Sequence, residues 1–202
     1  MLADGYDMVL DLEKSQGRRL WDSRRGRPLL DLFSFFATIP VGVNHPKLAD
    51  EAFRAKLLRA ALVNPSNSDV YTTEFAEFVD TFARVAMPPH MRHVFFVAGG
   101  ALGVENALKA AMDWKVRRNF RKGARVEQGH QVIHFRQEFH GRSGYTVSMT
   151  NTADPRKYQY FARFDWPRVV NPALRFPVDA AEIARVEKLE EQAIAEIKSA
   201  FR

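Results

Sequence analysis

The stretch FFVAGGALGVENALKAA, residues 95–111, opens as an apolar run, breaks at two glycines and continues as an amphipathic helix. With His93 and Val94 the run reads HVFFVA, a strand over 93–98 covered on both faces, as in parallel α/β sheets. In the helix after it, Val104, Ala107, Leu108, Ala111 and Met112 fall at i, i+3, i+4, i+7 and i+8, one face of about four turns. QVIHF, residues 131–135, reads as a second buried strand. Strand, helix, strand in this order is a βαβ crossover, which favours a parallel sheet. The junction at Gly99-Gly100-Ala101 leaves backbone N–H groups unpaired at the positive end of a helix dipole, a place suited to phosphate. A tight turn that needs glycine only for its dihedral angles accounts for the same residues equally well. The motif is neither a P-loop nor GxGxxG, so it gives nucleotide binding no support.

The second strand leads into EFHGRSGYTVSMTNT, residues 138–152, which a parallel sheet delivers to the same carboxyl edge as Gly99-Gly100. There Phe139 offers a flat face for a planar ring, His140 a titratable imidazole and Arg142 a planar fork suited to a carboxylate. Singly they read as a core phenylalanine, a satisfied histidine and a surface arginine. Their crowding against a glycine beside a candidate phosphate turn favours a site.

Further out, residues 17–34 show two apolar pieces around Ser23-Arg24-Arg25-Gly26, a hairpin pattern. His45-Pro46 precedes a helix with Leu48, Ala52, Phe53, Leu57 and Leu58 on one side. VNPSNSDVY, residues 63–71, is a loop by composition. Phe75, Phe78, Val79 and Phe82 indicate a helix over 72–85, stopped by Pro88-Pro89. Asp179 and Glu182 match an Asp-x-x-Glu capping box before a stripe from Ile183 to Phe201. The helix after the glycine turn spaces Glu105 and Lys109 as a surface i,i+4 pair. Only two or three strands are evident, so the sheet reads as unfinished at the C-terminal end.

The chain has 202 residues, 46% of them apolar, a formal charge of +6 and no cysteine. Disulfides, Cys-ligated zinc and thiol catalysis are thereby excluded. No apolar stretch reaches the roughly 18 residues of a membrane span and no h-region opens the chain, so a soluble, unexported, cytoplasmic protein is expected. Arg117, Arg118, Arg121, Lys122 and Arg125 follow a helix and surround Gly123, with few aromatics between them. That arrangement reads as a solvated helix end rather than a nucleic-acid surface. His130 stands just before the strand over 131–135 and His134 within it, where four residues span about 13 Å, too far for one metal.

GGALGVENALKAAMDWK and FHGRSGYTVSMTNT together resemble the class III pyridoxal-phosphate aminotransferases of fold type I. NPSNSDVY and FDWPR resemble the family's lysine 6-aminotransferases, and the likeness runs from DGYDMVLDL to about Pro167. The resemblance implies an α/β chain holding part of a fold type I transferase: an arm and small-domain segment over 1–62, and a partial large domain over 63–202. It implies that the N–H groups of Gly100 and Ala101 hold the phosphate of pyridoxal 5'-phosphate and that Phe139 stacks on its ring. Arg142 would pair with the substrate α-carboxylate, and Ser66, Asn67 and Ser68 would lie near a dimeric active site. The reaction implied moves the ε-amino group of L-lysine to 2-oxoglutarate in a homodimer. Ala98 departs from the family, where a polar residue is usual. The Schiff-base lysine and the aspartate at the pyridine nitrogen belong to the family's second half, and none of this chain's lysines stands in the matching context. The likeness is therefore to an N-terminal half without catalytic residues of its own. A non-catalytic remnant or interaction module is the alternative.

Overall fold

A computed structural model describes residues 5–63, 65 and 69–201. Ser66, Asn67 and Ser68 lie outside the described residues. The chain divides into two compact units, Met1–Arg92 and His93–Arg202.

The first unit begins with an antiparallel sheet of β1 (Leu10–Gln16), β2 (Arg19–Asp22) and β3 (Arg27–Leu30) in that order. The expected hairpin is β2–β3, with Trp21 opposite Pro28 and Gly26 at φ +60° in its turn. Asp22 is fully buried, and its carboxylate accepts from Val9 N, Arg24 N and Arg25. The Arg25 bond, chief among these, holds the Asp22 carboxyl below the usual range. A 3₁₀ turn at Pro46–Ala49 leads into α1 (Glu51–Leu62), capped by Asp50, whose side chain accepts from Phe53 N at 2.8 Å. Thr72 caps α2 (Thr73–Val85) in the same way. Phe78 lies 6.0 Å from Phe82 between ring centroids along one side of α2. The expected α1 stripe is formed yet uncovered, since Phe53, Leu57 and Leu58 are exposed in this chain.

In the second unit α3 (Gly100–Arg121) runs 22 residues, longer than the four turns expected. Its C-terminal basic cluster is solvated: Arg117 pairs with Asp113 at 2.9 Å, and Arg118 lies over the Trp114 ring. The expected strand over 93–98 requires correction. No ladder is formed by it among the described residues, and Val94, Phe95 and Val97 are exposed. Apolar composition permits a strand, but a strand exists only where a neighbour supplies the hydrogen bonds. The parallel pair that does form joins β4 (His134–Phe135) to β5 (Arg168–Val169), with His134 opposite Arg168. β4 is thus the end of the strand expected over 131–135, and its partner comes from a later segment.

Between these strands lies the short helix α4 (Gly144–Met149). The helix α5 (Ala180–Ala200) packs on β5. Val170 N donates to Glu196 Oε2 at 2.7 Å, tying the strand end to α5. Val147, Met149, Trp166, Val169, Val186 and Ala193 are the buried apolar side chains of this unit. The result is mixed α/β with two small sheets. Among the described residues no helix is long and apolar enough to cross a membrane.

Candidate functional site

The site starts at the N-terminus of α3. Gly99 occupies the cap position at φ +93° and supplies no side-chain acceptor, so the first N–H groups of the helix have no cap partner. A Cβ built on Gly99 or Gly100 would meet no atom within 4 Å. The space in front of the helix is open, and glycine keeps it so. That is the geometry a phosphate needs to approach backbone N–H groups at a positive helix end.

The segment 139–142 comes to the same place. A Cβ added to Gly141 would lie 2.5 Å from the Ala101 Cβ and 3.0 Å from Thr146 Oγ1. The two glycine-bearing motifs, forty residues apart, therefore touch at Ala101 and Gly141. Phe139 and Arg142, on either side of this contact, are exposed. Arg142 has no ion-pair partner among the described residues, so its fork is available to an incoming carboxylate. His140 Nε2 lies 3.2 Å from Glu138 Oε1, and His140 N donates to Thr150 Oγ1. Thr150 Oγ1 in turn donates to Gly141 O at 2.6 Å, which fixes the backbone at the contact.

At this contact the structure corrects the expectation for Glu105. Glu105 is not a surface partner of Lys109: it is buried, 7% exposed. Its Oε1 accepts from Ser143 Oγ at 2.8 Å and from Thr146 N at 3.2 Å. Ser143 N also donates to Thr146 Oγ1 at 3.0 Å. The i,i+4 spacing held only local information, whereas the partners that bury Glu105 come from the next helix. The available signal was Ser143 and Thr146 at an apparent helix start, whose free N–H groups attract an anion.

The other side of α4 is held by an aromatic layer and a polar network. Trp166 stacks on Phe164 with centroids 5.2 Å apart and on Tyr145 at 5.9 Å. His134 is buried; its Nδ1 lies 3.2 Å from Val132 O, and its Nε2 accepts from Arg168 Nε at 2.9 Å. Burial pushes the His134 imidazole below its usual value and keeps it neutral. Arg168 also donates to Ser148 O. His130 is exposed and lies off β4, and no group of three or more metal-ligating side chains occurs among the described residues. A cleft of about 560 Å³ runs along residues 161–168, and a second of about 420 Å³ lies between Met112 and Trp166. Neither is lined by Gly100, Ala101, Phe139 or Arg142.

A family model described as aminotransferase class-III matches residues 1–202. The L-lysine-epsilon aminotransferase of Mycobacterium tuberculosis is 50% identical over 202 residues, all of this chain and 44% of that protein. The protein of that name from Streptomyces clavuligerus is 47% identical with the same coverage. A solved lysine aminotransferase from M. tuberculosis superposes with a TM-score of 0.88, covering 100% of this chain and 46% of that one. The chain thus spans less than half the length of these relatives.

Proposed function

Because the chain belongs to the class-III aminotransferases, we propose that it carries the phosphate-binding and ring-stacking half of a pyridoxal 5'-phosphate site. The whole assembly would transfer the ε-amino group of L-lysine to 2-oxoglutarate. The observation that supports this reading is the meeting of Gly141 with Ala101, which gathers the anion-binding turn, an exposed aromatic face and an exposed arginine. The residues present fit the cofactor: the space before Gly99 and Gly100 is open, and glycine leaves the backbone reachable. The N–H groups of Gly100 and Ala101 would hold the phosphate, and Phe139 would cover one face of the pyridine ring. When bound, the cofactor supplies the electron sink that labilises bonds at the amine-bearing carbon. Arg142 would take the substrate α-carboxylate by a bidentate ion pair and so leave the far amine to react. Residues 1–62 would serve as arm and small-domain segment and 63–202 as part of the large, mainly parallel-sheet domain. The whole protein would act as a cytoplasmic homodimer.

The test joins this chain to the remaining part of a lysine aminotransferase relative and compares two donors. L-lysine carries the α-carboxylate, and 1,5-diaminopentane lacks it. Arg142→Ala should raise KM for lysine roughly tenfold to a hundredfold, the scale of a lost charge-assisted pair, and leave the diamine unchanged. An equal effect on both donors, or none on lysine, would remove Arg142 from substrate recognition.

A further inference from the structure

Beside the contact between the two motifs lies a buried carboxylate of α3 whose hydrogen-bond donors come from the start of α4 rather than from its own helix. Glu105 stands on α3 one turn beyond Ala101 and reaches across to Ser143 Oγ and Thr146 N, just after Phe139–Arg142. Ordinary surface helix glutamates stay in water, because burying a charge is costly unless it is fully partnered. Here both partners belong to the segment that bears the ring-stacking and carboxylate-binding residues. On the other side of the same segment, Gly141 admits Ala101 to a distance no side chain would allow.

We propose that Glu105 is a positioning residue for the cofactor site, holding the 139–142 segment against the phosphate turn so that one ligand can engage both. This rests on the reading of Gly100, Ala101 and Phe139 given above. Glu105 touches no ligand in this account. It acts through Ser143 and Thr146, and its loss separates two motifs that otherwise remain intact. The consequence is specific. A ligand with both a phosphate and a ring feels the loss, whereas one with a phosphate alone needs only the α3 N-terminus and does not.

The experiment uses the full 202-residue chain and two probes, inorganic phosphate and pyridoxamine 5'-phosphate, whose amine forms no imine with surface lysines. Glu105→Ala should weaken pyridoxamine 5'-phosphate roughly tenfold and leave inorganic phosphate within about twofold. Glu105→Gln, which keeps an acceptor oxygen at the same place, should recover most of that loss. Equal affinity of Glu105→Ala and the parent for pyridoxamine 5'-phosphate overturns the proposal. So does a matching loss for both probes, the mark of a generally loosened α3. If Glu105→Ala loses its far-ultraviolet helix signal, Ser143→Ala carries the same comparison with an expected factor of about three. A parent chain that binds neither probe sinks the functional reading, and the proposal with it, before any variant is compared.

Discussion

At the scale of single residues, Gly100 and Gly141 look alike in sequence and do opposite things. A Cβ at Gly141 would strike the Ala101 Cβ at 2.5 Å, on a backbone at φ +117° that side chains rarely adopt. Gly141→Ala should therefore cost about 2–3 kcal/mol of stability, from overpacking and backbone strain together. Gly100 is helical, and a Cβ there meets nothing within 4 Å. Gly100→Ala should leave stability unchanged or raise it by up to about 1 kcal/mol, while the new methyl group obstructs an anion at the helix end. Urea unfolding and titration with pyridoxamine 5'-phosphate separate the two. A destabilised Gly100→Ala with unaltered affinity would mean that the glycine serves the turn alone. The sequence marks Gly100 as a candidate and offers Gly141 only as the glycine beside Phe139 and Arg142, because a close approach between segments forty residues apart leaves no local pattern. Glu105 was illegible for the same cause: helical spacing offered Lys109, and only the packing of α4 against α3 supplied Ser143 and Thr146.

At the scale of elements, helices were the most legible, because their caps and stripes are written within one turn or two. Asp179, the one residue read as a cap, accepts from the N–H three residues on, and so do Thr72 and Asp50, which the stripes alone do not name as caps. For α5 only half of the expected box is observed. Asp179 Oδ1 accepts from Glu182 N at 2.8 Å, but the Glu182 carboxylate is engaged by Arg185 and by Arg175 N. Chiefly through the Arg185 hydrogen bond, the Glu182 carboxyl is lowered from 4.5 to about 2. A carboxyl depressed on folding stabilises above its unfolded value, and that contribution is lost as pH falls from about 4.5 through about 2. The acid limb of stability should thus be shallower in Glu182→Gln than in the parent across that window. Asp179→Ala should cost about 1 kcal/mol near neutrality. Both are read by circular dichroism melts at a series of pH values, and parallel acid limbs for parent and Glu182→Gln would dismiss the Glu182 contribution. Strands were less legible, since pairing defines them. HVFFVA has the composition of a buried strand yet belongs to no ladder among the described residues, while Arg168–Val169, at the end of FDWPR and not read as a strand, completes the parallel ladder with β4.

At the scale of the whole molecule, the share of family length decides what this chain does by itself. It spans 44% of the relatives' length, and large apolar side chains stand uncovered within each unit. In the first unit these include Leu57 and Leu62 of α1, and in the second Phe95 and Val97 of the segment that reads as a strand. Exposed apolar surface of this kind seeks a cover. The 202-residue chain should therefore sediment as concentration-dependent oligomers rather than as a monomer. Its chemistry should be limited in the same way. The nine lysines include Lys109 and Lys115 on α3, both beyond the first turn that would meet the cofactor phosphate, and on the proposed reading none of the nine would link the cofactor. With pyridoxal 5'-phosphate, L-lysine and 2-oxoglutarate supplied, the isolated chain should form no glutamate above the cofactor-only background. Joining it to the remaining part of a lysine aminotransferase relative should restore turnover and abolish the self-association together, because the added part would cover the apolar faces and supply the cofactor-linking lysine of the proposed reading. Turnover by the isolated chain would show that one of its own lysines can carry the reaction. Turnover restored without loss of self-association would show that the exposed faces belong to a contact between copies of this chain.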